Sequence, residues 1–304
     1  MTLLLQMYPD RGTGYICKLF GKSRQAWHES FRRSTAQEMA NIVVVKLVEE
    51  IRAALPKLGT RKLLHLLAPK LEAHHIGIGR DRLYRLLSSQ GLLLRYRRRN
   101  PHTTNSRHQF RKYPNLIREM VLTCPGQLWV SDITYLRLKE GFCYLSIVTD
   151  AYSHKIIGHC LYHDLSRYGP MEALRQANQS KKSHSVVHHS DRGLQYCCAD
   201  YTQYLGLHRI QISMTEKGDP YENAIAERVN GILKGEFDLD QTFPALEQAK
   251  TSVARAVDRY NHLRPHASCD YHTPAMAHDM NGLLRRRWKN KVYGQQQPVG
   301  QIQE

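Results

Sequence analysis

Three acidic side chains have the type and setting for divalent-metal chemistry. Asp132 interrupts an apolar, strand-like run (Leu128, Trp129, Val130, Ile133), where aspartate is normally depleted. Asp191 follows a short apolar-centred run inside HHSDRG at 188–193. Glu227 falls in the first two turns of a helix expected over 221–237, whose Ala224, Ile225, Val229, Ile232 and Leu233 share roughly one face. Lys234 stands two turns beyond Glu227 and on nearly the same side. Carboxylate oxygens beside a lysine suit a hard metal ion with phosphate bound next to it. A lone aspartate at a strand end also serves as a turn cap. Convergence of three acids on one edge of one expected sheet favours the chemical reading.

The elements that must position these acids follow from periodicity. Residues 127–138, 142–152 and 155–163 alternate and are rich in β-formers, with turns at Lys139–Gly141 and Ser153–His154, which predicts an antiparallel meander. A helix over 170–180, a strand over 185–189, a helix over 198–207 and a strand over 210–213 come next. The Gly218-Asp219-Pro220 turn then leads into the helix bearing Glu227. That order predicts an α/β, ribonuclease-H-like catalytic core with a mixed five-stranded sheet.

Charge divides the chain differently. The 304 residues carry a formal net charge of +17. Among residues 1–115 there are 22 Lys/Arg and 7 Asp/Glu, whereas the other 189 residues hold 22 and 20. A generally soluble basic protein would not concentrate its excess so. A nucleic-acid-gripping region joined to a near-neutral domain would. Residues 13–33 read as helix, Gly21-Lys22-Ser23 turn and second helix, with Ser23 as N-cap and Arg24 just inside. The run 40–55 is helical. In the next helix Thr60 is a cap, with Leu63, Leu64 and Leu67 inward and Arg61 and Lys62 outward. A further helix turns Leu83, Leu86 and Leu87 inward and Arg80, Arg82 and Arg85 outward, and Gly91 ends it. The expected organisation is a helix-turn-helix-like segment over 1–36 and a second, all-α DNA-binding unit over 37–94. A basic linker over 95–120 carries Arg95, Arg97, Arg98 and Arg99, suited to backbone phosphates. The catalytic core spans 121–285 and a tail 286–304.

The motifs WVSDITYL, HHSDRGLQY, SMTEKGDPYENAIAERVNGILKGE and YNHLRPHASCDYHTPAMA resemble, in order and over nearly the full chain, the second-frame (OrfB) transposases of the IS-three group of insertion sequences, relatives of retroviral integrases. Thirty-five residues separate Asp191 from Glu227, and 58 separate Asp132 from Asp191. The resemblance implies that Asp132, Asp191 and Glu227 form a DDE triad holding two Mg²⁺ (or Mn²⁺) ions. Asp132 would bridge them, with Asp191 and Glu227 on one ion each. It further implies DNA cleavage and strand transfer by a DNA 3′-hydroxyl, with Lys234 near the cleaved end. The implied partners are double-stranded DNA, further copies of the chain on paired ends, and a first-frame (OrfA) portion supplied by frameshift fusion. This chain has no heptad run of useful length.

Two other readings remain: a catalytically inactive DNA-binding relic or regulator, and a ribonuclease-H-like nuclease that hydrolyses without joining. His188 and His189 are expected to pack or hydrogen-bond rather than ligate metal, since neighbours in a strand face opposite ways. Asp150 is expected to serve a turn or support the site. The role of the Tyr260–His266 block does not follow from its residues beyond ordering the end of the core. Seven irregularly spaced cysteines without a Cys-x-x-Cys pair predict reduced thiols. No apolar run reaches the ~18 residues of a membrane span, and the start is too short for a signal peptide. A cytoplasmic protein is expected.

Overall fold

A computed structural model describes residues 2–94, 110–181, 185–216 and 223–285, with the side chains of residues 2, 4 and 5 excepted. Arg95, Arg97, Arg98, Arg99, the Gly218-Asp219-Pro220 turn and the tail from 286 lie outside the described residues. The chain forms two compact units, one of residues 1–53 and 59–94, the other of 54–58 and 95–304.

The first unit is helical. It contains α1 (Thr2–Met7), α2 (Thr13–Leu19), α3 (Arg24–Ala54), α4 (Thr60–Ala73) and α5 (Arg80–Ser89). Ser23 caps α3 as expected, its hydroxyl accepting from the Ala26 amide at 3.1 Å. The boundary anticipated at 36/37 has no structural counterpart, because α3 runs unbroken through it for 31 residues. Nothing between Phe31 and Ala40 breaks a helix: the stretch holds no glycine or proline. Thr60 is not a cap. Gly59 occupies that position, with Thr60 already helical. Val44, Leu47 and Val48 are buried, as are Leu63, Leu67 and Leu71 and then Leu83, Leu86 and Leu87. Gly91 takes a left-handed φ of 67°, the conformation that ends a helix without Cβ strain.

The second unit contains β1 (Leu128–Leu138), β2 (Phe142–Asp150), β3 (Ile156–Tyr162), α6 (Tyr168–Gln179), β4 (Val186–Ser190), α7 (Leu194–Cys197), α8 (Ala199–Leu207), β5 (Ile210–Met214), α9 (Ala224–Glu236), β6 (Thr242–Phe243), α10 (Leu246–His262), a 3₁₀ turn (Ala267–Cys269) and α11 (Pro274–Ala277). The sheet order is β3-β2-β1-β4-β5. β1, β2 and β3 pair antiparallel, and β4 and β5 join parallel. This is the mixed ribonuclease-H-like sheet anticipated, with β6 as an unanticipated two-residue addition to β1. One face packs Leu136, Cys143, Leu145 and Ile147 against Val229, Leu233, Val253 and Tyr260 from α9 and α10. The opposite face packs Trp129 and Val148 against Leu174, Tyr201 and Leu205 from α6 and α8. No helix among the described residues is long and apolar enough to cross a membrane.

β3 and α6 approach closely at Gly158. A Cβ there would lie 2.0 Å from the Ala173 carbonyl oxygen, which is helix backbone and cannot rotate aside. Gly158→Ala is therefore expected to destabilise the core by about 3 kcal/mol, the upper end for overpacking. A thermal melt equal to wild type would contradict that packing.

Candidate active site

β1 is paired differently along its two edges. β2 lines one edge from Trp129 to Arg137. The other edge is met by β4 at Leu128–Val130 and by β6 at Arg137–Leu138. Between those contacts α9 takes the place of a strand. The Asn223 amide donates to the Ser131 carbonyl at 3.1 Å, satisfying a backbone acceptor that lacks a strand partner there. The Asn230 amide donates to Asp132 Oδ2 at 2.8 Å. Asn230 lies one turn past Glu227 and one before Lys234, so these side chains project along one side of α9.

The three acids meet electrostatically at this gap. The Asp132 carboxyl is pushed up to about 7, first by burial and then by the charge of Asp191, with Glu227 adding in the same direction; the Asn230 hydrogen bond opposes the rise. Asp132 as a residue keeps some exposure, yet its carboxyl oxygens are enclosed by neighbouring atoms, and that enclosure governs its titration. Asp191 also serves its own turn: its Oδ1 accepts from the Gly193 amide at 2.9 Å. The turn-cap role and the proximity to Asp132 thus coexist in one side chain.

The surrounding residues hold this arrangement. His188 bonds both Ser131 Oγ (2.8 Å) and Tyr201 Oη (2.9 Å), and burial lowers its imidazole to about 3. It is a neutral strut, and His189 bonds Ser213 Oγ at 2.8 Å. Both are buried and hydrogen-bonded. Asp150 is a buried turn acceptor for the amides of Gly126 and Ser153. Tyr196 is buried, and its phenol is raised well above its ordinary range by burial, with Tyr201, Asp132 and Asp191 adding to the effect. Tyr196 Oη and Asn230 Oδ1 are buried without a hydrogen-bond partner among the described residues. Asn230 and Tyr196 are the site residues that sequence reasoning missed. The available signals were the three-residue step from Glu227 and the five-residue step from Asp191.

Crowded carboxylates whose ionisation is mutually opposed, with unsatisfied polar oxygens beside them, are a setting that divalent cations stabilise. The acids do not form a single-ion cage. Among the described residues, the one trio whose ligand atoms all lie within 4.8 Å is His154, His266 and Cys269. There the imidazole planes are 9° from parallel with centroids 4.4 Å apart. A ring nitrogen binds metal in the ring plane, so near-parallel planes do not share an ion. The stack itself explains that cluster.

Lys234 extends its ammonium over the Tyr135 ring, 4.4 Å from the centroid. Arg24, Arg61 and Arg80 are exposed on the helical unit, and Lys62 and Arg82 are half-buried. Arg80 pairs with Asp81 at 2.8 Å.

Comparison with known proteins gives the chain's relationships. An integrase core domain family matches residues 123–220 and, in a second description, 208–274. An uncharacterised 31 kDa protein of the insertion element IS600 from Shigella sonnei is 32% identical over 268 residues, covering 86% of this chain and 96% of that protein. A putative transposase of IS986/IS6110 from Mycobacterium tuberculosis (strain CDC 1551 / Oshkosh) is 31% identical, covering 66% of this chain and 74% of its own length. Transposase InsF of IS3fB from Escherichia coli (strain K12) is 28% identical over 88% of this chain and 93% of that protein. Among solved structures, the HTLV-2 integrase catalytic core domain in complex with magnesium is similar over 51% of this chain and 97% of that one, at 17% identity and a TM-score of 0.41. With its integrase core and relatives matched along most of their length, the chain belongs to the IS-three-type family of insertion-sequence transposases.

Proposed function

We propose that Asp132, Asp191 and Glu227 together hold two Mg²⁺ (or Mn²⁺) ions and that the chain uses them to cleave donor strands at insertion-sequence ends and join a DNA 3′-hydroxyl to a target phosphate. An integrase core implies divalent-metal dependence; the two-ion count and the ligand set are this proposal. The observation that carries it is the convergence on Asp132, whose carboxyl is pushed up to about 7 by burial and then by the charges of Asp191 and Glu227. Bound there, such ions would activate an attacking oxygen and stabilise a leaving one. The residues of the chain contribute placement. Asn230 fixes the Asp132 carboxyl, α9 sets Glu227 at the open edge of β1, and the Asp191–Gly193 turn aims the third acid. Transfer proceeds by in-line displacement at phosphorus without a covalent enzyme intermediate.

The basic helical unit, through Arg24, Arg61, Lys62, Arg80 and Arg82, and the segment of Arg95, Arg97, Arg98 and Arg99 would grip DNA backbone. The active assembly would contain more than one copy on paired ends, with a first-frame portion contributing end recognition. Lys234 would contact DNA near the cleaved end. Lys234→Ala is accordingly expected to weaken DNA binding and to reduce the slope of log K against log salt by about 1; an unchanged slope contradicts the contact.

Precleaved end DNA incubated with the protein and Mg²⁺ tests the function. Joined product is expected. Hydrolysis without joining would establish a nuclease instead, and binding alone a regulator or relic.

A further inference from the structure

Beyond the metal-binding acids, the sheet carries an aromatic row that the reaction as described does not use. Tyr135 of β1 pairs directly with Tyr144 of β2, and Tyr144 pairs directly with Tyr162 of β3. Directly paired residues project on the same face, so three tyrosines from three neighbouring strands lie side by side. All three are half-buried. Next along that face, Arg137 pairs with Phe142; both are exposed, and Phe142 meets Tyr135 edge-on at 5.3 Å.

The reason this row stays open is where α6 begins. Its first turn sits over Ser146 and Tyr162, with a Cβ built at Gly169 3.0 Å from Ser146 Oγ and 3.6 Å from Tyr162 Cβ. The helix runs from there toward Gly158, and beyond Ser146 the tyrosines stay half-buried while Arg137 and Phe142 are exposed. Tyr168, the first residue of α6 and 49% exposed, meets Tyr162 at a tilt of 31° with centroids 4.5 Å apart.

The row is also framed by the elements that carry the acids. At one end Lys234, on α9 with Glu227, lies over Tyr135. At the other, the segment before α6 is tied to α7, the short helix following Asp191, where the Gln195 side-chain amide donates to the Leu165 carbonyl at 2.9 Å. Cross-strand aromatic pairs also stabilise sheets, and that alone would account for one pair. It does not account for a row of three with two cations beside it, bounded at both ends by the supports of the acids.

We propose that Tyr135, Tyr144 and Tyr162, with Phe142, Arg137 and Lys234, form a stacking platform for unpaired nucleobases of the DNA strand adjoining the reacting phosphodiester. Aromatic faces accept any base by stacking, while cations hold the backbone alongside. Three strands about 4.8 Å apart give a row long enough for about two bases. The ligand class is single-stranded DNA, and the platform favours ends with an unpaired flank over blunt duplex. This inference rests on the assignment of Asp132, Asp191 and Glu227 as the site of DNA chemistry.

The test uses the full chain without added metal and two probes: a blunt duplex and the same duplex with a three-nucleotide single-stranded flank containing 2-aminopurine. The wild-type protein should bind the flanked probe more tightly and quench its fluorescence. Tyr144→Ala and Tyr144→Leu should weaken the flanked probe about tenfold and abolish quenching, Tyr144→Phe should preserve both, and blunt-duplex binding should stay unchanged in all three as the control for folding. Equal affinity of wild type for both probes, or a flanked-probe affinity unaffected by Tyr144→Leu, overturns the platform. Asp191→Asn run in parallel separates the two claims: loss of joining with retained quenching supports both. Retained joining would remove the assignment of the acids while leaving the stacking result to be judged by the Tyr144 variants.

Discussion

Asp132→Asn is expected to abolish strand joining while making the metal-free protein more heat-resistant at pH 8. The two effects share one cause. In the folded chain burial and the neighbouring acids raise the Asp132 carboxyl to about 7, against about 3.9 in an unfolded chain. The fold therefore favours the protonated form. Its stabilising contribution is complete below pH ~4 and is lost as pH rises through about 7. At pH 8 the wild type holds a carboxylate that its surroundings oppose, at a cost on the order of a few kcal/mol. Asparagine removes that charge, and its carbonyl can still accept the Asn230 amide, which sits 2.8 Å from Asp132 Oδ2. The variant should melt several degrees higher than wild type at pH 8 and nearly level with it at pH 4. Joining should fall by at least about a thousandfold, because a neutral amide is a poor ligand for a hard divalent ion. Equal melting at pH 8 would mean that Asp132 is not held against its neighbours.

Arg264→Met is expected to be among the most destabilising single changes in the core. The Arg264 guanidinium meets Glu236 through two hydrogen bonds of 2.7 Å, with side-chain exposures of 1% and 8%. Removing the arginine strands a buried carboxylate, at a cost of about 3–5 kcal/mol. Pairing Arg264→Met with Glu236→Gln should recover part of that loss, because the stranded charge is gone. A double variant no more stable than the single one would show that the arginine acts through packing rather than charge. Denaturant unfolding of the three proteins measures the difference.

The same pair shows where sequence reasoning stopped. The block from Tyr260 to His266 was recognisable as a motif, yet its purpose needed partners 28 to 106 residues distant. Tyr260 Oη donates to the His154 carbonyl. The Asn261 side chain bonds both the amide and the carbonyl of Ile156, at 3.0 and 2.9 Å. The block clamps the turn between β2 and β3, as the expectation of an ordered core end suggested, but no periodicity within it points there. Strands, by contrast, were legible because alternation and turn residues are local, and Asp132 stood out against its apolar run. Asn230 did not, since an asparagine inside a helix carries no local mark of the carboxylate it steadies. The unbroken α3 was missed for a related reason. The second helix expected within 13–33 and the helical run over 40–55 are one helix, because nothing in the residues between them opposes helix.

The account stands or falls on whether Asp132, Asp191 and Glu227 share a pair of ions. Electron paramagnetic resonance of Mn²⁺ added to the full chain with precleaved DNA counts those ions directly. Two bound ions close enough to couple, about 3.5–4 Å apart, are predicted for the wild type, with the coupled signal lost in Asp132→Asn, Asp191→Asn and Glu227→Gln alike. A coupled pair that survives any one of these substitutions, or a wild-type protein that joins DNA with no coupled pair, would contradict it.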